Sequence, residues 1–118
     1  MAEPMTPSEK GESIRTAAAA SLAGRPGAVL WSSHALQRLV AHRLDRRQVE
    51  TALACCEVIE DYPEGHRGLP DCLAFGLDST GLPVHAVVAM DRLRDRVLVV
   101  TAYRPRRERW ADDWKTRR

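Results

Sequence analysis

The positions of apolar residues change period once along the chain, near residue 57. Before that point they recur at helical spacing, and after it they alternate or run continuously as in strands. Ala35, Leu36, Leu39 and Val40 fall on one stripe at about 100° per residue, which predicts a core-facing helix starting at His34 with Ser33 as its cap. His34, Arg38 and His42 share the opposite edge, and Arg43 falls inside the apolar arc, so it needs a partner or a helix end. Asp45 with Gln48 forms a capping box for a second helix, whose buried face is Val49, Ala52, Leu53 and Cys56.

Four strands follow in the pattern, at Glu57 to Tyr62, Cys72 to Leu77, Val84 to Met90 and Arg96 to Tyr103. Pro63-Glu64-Gly65 reads as the start of a longer loop, while Asp78-Ser79-Thr80-Gly81 and Asp91 to Asp95 read as hairpin turns. The expected sheet is therefore a four-stranded antiparallel meander. Pro105 stops the last strand, and Trp110 and Trp114 at i and i+4 predict a short closing helix.

Upstream, Thr6-Pro7-Ser8-Glu9 has the form of a capping box with Pro at the first helical position, and Gly24 ends the helix it opens. Its apolar face, Ile14, Ala18 and Leu22, is thin. Residues 1–29 are accordingly read as a loosely attached Ala-rich appendage with its linker, and residues 30–118 as the domain proper. The fold class expected is α+β, with two helices on one face of the meander sheet plus the extra N-terminal helix.

Composition sharpens this picture. A chain of 118 residues with 44% hydrophobic content builds one core. Three cysteines, two of them adjacent at Cys55 and Cys56, exclude a disulfide framework and a CxxC metal pair; Cys72 with His66 is a poor zinc pair, so no metal or cofactor is expected. With no apolar run long enough for a bilayer and no basic leader before the Ala17 to Ala20 run, the expected place is the cytoplasm, with no membrane partner. The net charge of +2 is segregated. Residues 30–47 carry four arginines against one acid, residues 48–102 four against nine, and residues 103–118 seven basic residues against three acids. Two basic segments flanking an acidic middle make a polyanion-binding stripe if they meet in space.

Pairing Met90 with Arg96 across the second hairpin places His85 opposite Thr101, with Tyr103 diagonal to it on the same face and Arg104 emerging at that end. An imidazole, a phenol and a guanidinium together transfer protons and stabilise a phosphate. A single step of register would separate them. Against this stands the plain reading of each: a hydrogen-bonded core histidine at His85, a core-sealing Tyr103, and solvated His34 and Arg38, with His42 and His66 left on the surface.

The ordered set Ser33-His34-Ala35 with Arg38 and Arg43, Glu57 to Pro63, Pro83 to Val88, Thr101-Ala102-Tyr103-Arg104-Pro105 and Trp110 to Lys115 resembles domain of unknown function 4258, over roughly Leu30 to Arg118. That family is grouped with the RelE/ParE-like toxins. The resemblance implies a small α+β domain, and by analogy a metal-independent endoribonuclease of a bacterial toxin-antitoxin system, with a small zinc-finger antitoxin-like neighbour of the YgiT type as partner. The family's recurring polar positions fall on His34, Arg38, Arg43, His85 and Tyr103, which gives His34, Arg38, His85 and Tyr103 as the expected catalytic residues; Arg43, with the basic Arg46, Arg47 and Arg104 of the charge pattern, is expected to contact RNA. Two positions depart from the pattern: Arg43-Leu44-Asp45 stands where Arg-Gly-Ile is usual, and Arg104 stands where an acid is common. The alternative expectation is a non-catalytic protein-interaction domain of the same fold.

Overall fold

The computed structural model describes residues 4–66 and 68–118, with the backbone alone for residues 64–66. The helices are α1 (Pro7–Leu22), α2 (Ser33–His42) and α3 (Arg46–Ala54), and the strands are β1 (Val29–Trp31), β2 (Glu57–His66), β3 (Leu69–Leu77), β4 (Pro83–Asp91) and β5 (Arg96–Tyr103). The sheet has five strands in the order β1-β5-β4-β3-β2. The antiparallel meander is present in β2 to β5, but the expected four-stranded sheet is incomplete because β1 adds in parallel to β5, pairing Val29 with Val97 and Trp31 with Val99. Three residues are too few to show a period, which is why the start of the domain, Val29–Trp31, is not read as a strand in the sequence.

Each helix starts where a side-chain cap is available. Thr6 and Glu9 form the capping box of α1, and Asp45 and Gln48 that of α3. The cap of α2 is Ser32, one residue ahead of the expected Ser33; its Oγ accepts from Ala35 N and donates to the Val100 carbonyl, so the helix start is tied to β5. Arg43 is the helix end its position called for, with φ of 53°. The left-handed residue between the helices is thus Arg43, and Leu44 is free to be buried.

Buried residues of all three helices join one cluster with Cys72 and Ala74, Val84 to Met90 on alternate positions, and Val97, Val99 and Ala102. Two expectations fail here. Leu36 and Val40 point outward, Val40 being 81% exposed, because the seam of α2 consists only of Ala35 and Leu39. Helix α1 is packed rather than loose: Ile14 and Ala18 are fully buried, and the Lys10 ammonium, 1% exposed, reaches Asp61 Oδ1 at 2.6 Å and the Asp71 carbonyl at 2.8 Å. A thin apolar face is offset by one buried, fully bonded lysine.

Strand β2 continues through Pro63 to His66, past the expected loop. It lies at the sheet edge, where a proline costs no ladder bond, and the register is irregular between Tyr62 and His66. The His66 side chain, and with it the expected surface position and the Cys72 pairing, lies outside the described residues. The closing helix at Trp110 and Trp114 is absent: Asp113 Oδ1 accepts from the backbone N–H of Lys115 and Thr116, Trp114 takes φ of 63°, and Trp110 bridges to Arg117. Among the described residues no helix is long and apolar enough to cross a membrane.

Candidate functional site

His85 and Tyr103 stand directly opposite each other on β4 and β5. The register differs from the expected one by one residue at the hairpin, where Met90 pairs with Val97, and by one more at a bulge between Val87 and Val88. Two single steps restore the face, so the pair meets after all. His85 Nε2 lies 2.7 Å from the Trp114 carbonyl, which only accepts; the ring proton therefore sits on Nε2, and Nδ1 accepts from the Tyr103 hydroxyl at 3.3 Å. Burial holds its pKa down at about 4, although the Trp114 carbonyl pulls upward. The imidazole is 0% exposed, with Trp110 and Phe75 packed edge-on against it. A ring with both nitrogens engaged and no solvent contact offers no lone pair to a substrate, which corrects the catalytic role expected of His85. It positions Tyr103 and the C-terminal segment.

The open site lies on the cavity side of this pair. A cavity of about 360 Å³ is lined from α2 and the end of β5 by Arg38, His42, Tyr103 and Arg104. The segment after β5 completes it with Arg106, Arg109, Trp110 and Arg117. The two basic segments seen in the charge pattern do meet. Arg117 is paired with Glu60 at 2.6 Å, and the Arg104 guanidinium is bound to Asp78 at 2.7 Å and to the Pro83 carbonyl. Among the described residues Arg38, Arg106 and Arg109 have no carboxylate partner. The Asp78 carboxyl, which burial pushes up, is held down at about 2 by hydrogen bonds from Thr80 and Arg104. Arg104 therefore belongs to the hairpin turn more than to a ligand, contrary to the role expected of it.

His42 is the residue that sequence reasoning left on the surface. Its Nδ1 faces the Arg104 backbone N–H at 3.2 Å and its Nε2 the Arg38 guanidinium at 2.7 Å. Both neighbours only donate, and a neutral imidazole has a single acceptor nitrogen, so one contact sets donor against donor. The site is short of one acceptor. Burial, then the charges of Arg38, Arg106 and Arg104, lower the His42 pKa below 6.5, which keeps the ring neutral at pH 7. The i, i+4 spacing of Arg38 and His42 was the available signal. His34, Arg43, Arg46 and Arg47 are exposed and none lines the cavity. Tyr103, half-buried with its pKa raised by burial, presents its oxygen as an acceptor on the cavity wall. Among the described residues no three His, Cys, Asp or Glu side chains gather as metal ligands.

A family model described as a domain of unknown function, DUF4258, matches residues 31–104. No curated protein and no solved structure matches the chain. Four of the eight cavity residues lie inside the matched segment, and Arg106, Arg109, Trp110 and Arg117 lie beyond its end.

Proposed function

The chain belongs to the DUF4258 family, whose description names no chemistry, so its activity has to be argued from the cavity: we propose that it is a metal-independent endoribonuclease. The observation that carries this is the missing acceptor between Arg38 and His42, because an anionic phosphate oxygen placed there accepts from both. The guanidiniums of Arg38, Arg106 and Arg109, which have no carboxylate partner among the described residues, supply the positive charge that a cleavage transition state needs, without a metal. The grouping of this family with the RelE/ParE-like toxins, which the sequence resemblance implies, supports the same chemistry by analogy. In that setting the protein works in the cytoplasm and a small zinc-finger antitoxin-like neighbour silences it.

In the proposed reaction water at the cavity mouth takes the proton of a ribose 2′-OH, because the one lone pair of neutral His42, on Nδ1, accepts from the Arg104 N–H while its Nε2–H and Arg38 hold the phosphate oxygen. The O2′ atom attacks the adjacent phosphorus, the P–O5′ bond breaks, and the departing O5′ takes a proton from water at the cavity mouth. The products are a 2′,3′-cyclic phosphate and a 5′-hydroxyl. Arg38 and His42 stabilise the phosphorane charge, Arg106 and Arg109 add positive potential from the facing wall, and Tyr103 accepts a hydrogen bond from the substrate sugar. His85 holds Tyr103 in place.

One observation favours the non-catalytic reading: Leu36 and Val40 form an exposed apolar pair on α2, suited to a protein partner. Incubating the full chain with RNA in EDTA separates the two. Wild type is expected to cleave, and His42→Ala, which loses a donor to the phosphate, to lose roughly 100-fold or more of that rate while still folded. Equal rates in wild type and His42→Ala, or intact RNA with wild type, would remove the enzyme proposal.

A further inference from the structure

The cavity has more free positive charge than one phosphate uses. A phosphodiester carries a single negative charge, whereas Arg38, Arg106 and Arg109 are all without carboxylates among the described residues. These charges come from two walls. Arg38 and His42 project from α2, within the family segment; Arg106 and Arg109 project from the C-terminal segment beyond it.

That segment is firmly attached. The Trp114 carbonyl is bonded to His85, the Trp110 ring is 2% exposed against the same imidazole, Lys115 pairs with Glu57 at 2.7 Å, and Arg117 pairs with Glu60. Arg106 and Arg109, both exposed, are thus presented by an anchored wall while their guanidiniums have no carboxylate partner among the described residues, so the wall that carries the two charges is fixed before an anion arrives. About 360 Å³ is within the range of pockets that take small organic ligands, and exceeds what one phosphate fills.

We propose that the cavity holds two consecutive phosphates of an oligonucleotide, one between Arg38 and His42 and the next at Arg106 and Arg109, so that the C-terminal segment sets the substrate class. This rests on the RNA-cleaving reading of the same cavity. A mononucleotide fills one wall only. A dinucleotide step fills both, and each additional phosphate bound adds its own release of counterions.

The test is calorimetric titration of the full chain with two 2′-O-methylated, uncleavable ligands: a uridine 3′-monophosphate, and a diuridine carrying the internal diester and a 3′-phosphate. Wild type is expected to prefer the second by on the order of tenfold, since charged hydrogen bonds to one further phosphate are gained. Its log-log salt slope is expected to be steeper by about 0.7. In Arg106→Ala/Arg109→Ala, checked for folding by circular dichroism, the affinity ratio collapses toward unity; should that variant not fold, Arg109→Gln and the wild-type slope difference decide instead. Equal affinities and slopes for the two ligands in wild type, or an undiminished preference in the folded variant, overturn the two-phosphate cavity while leaving the single-site reading. Failure of wild type to bind either ligand overturns both.

Discussion

His85 Nε2 donates to the Trp114 carbonyl at 2.7 Å, and this bond ties the central strand β4 to the segment that forms half of the cavity wall. Removing the imidazole leaves a hole between Trp110, Phe75 and Tyr103 and strands the carbonyl. His85→Ala is expected to cost about 3 kcal/mol, against about 1 kcal/mol for Tyr103→Phe, which loses one hydrogen bond. Urea unfolding followed by tryptophan fluorescence measures both. Equal losses would contradict the role given to His85.

Acid should weaken the fold in two stages. His85 has a folded pKa of about 4, below the ordinary 6.5, so the unfolded chain binds more protons and stability is lost as pH falls from 6.5 through 4. Asp78, at about 2 against the ordinary 3.8, contributes stability that is lost as pH falls from about 4 through 2. His85→Gln removes the His85 part of the upper stage, leaving that of His42, whose pKa is also lowered. Asp78→Asn removes the Asp78 part of the lower stage, which it shares with Glu60 and Asp91. Stability curves that stay parallel to wild type across these windows would refute the assignment.

Gly76 lies where α3 crosses β3, and a Cβ there would overlap the Ala52 carbonyl. Backbone cannot step aside as a flexible side chain does. Gly76→Ala is therefore expected to destabilise by roughly 3 kcal/mol, at a φ that poses no difficulty of its own. A loss under about 0.5 kcal/mol would mean that the helix sits farther from the sheet.

Lys10 is the polar anchor of α1. Lys10→Ala leaves Asp61 without its countercharge and the Asp71 carbonyl without this donor, at an expected cost of about 3 kcal/mol. Lys10→Arg, larger but still charged, should cost less than that. Amide exchange in α1 reports the effect locally. Unchanged protection in Lys10→Ala would restore the loose appendage expected from the thin apolar face.

Features coded over a few neighbouring residues were legible before any coordinates. The Thr6/Glu9 and Asp45/Gln48 boxes and the Asp78 to Gly81 turn with its β3–β4 hairpin all appear where the local pattern puts them. What escaped was decided at long range. Strand β1 exists because the edge of β5 offers it hydrogen bonds, and nothing in Val29-Leu30-Trp31 announces that. The bulge that realigns His85 with Tyr103 has no marker residue, and it is met by Ser32, whose hydroxyl takes up the Val100 carbonyl. His42 looked like a surface residue because its partners, Arg104 and the segment after it, lie some sixty positions away in the chain.

The central claim is that the junction of Arg38 and His42 receives an anionic oxygen, and NMR titration of the His42 imidazole tests it most directly. Without ligand its pKa should lie below 6.5, because burial and guanidiniums oppose the charge. An uncleavable diuridine phosphate favours the imidazolium, so at saturation the pKa should rise by ~1–3 units, while His85 stays at its low value. A His42 pKa unchanged by saturating ligand would contradict the account.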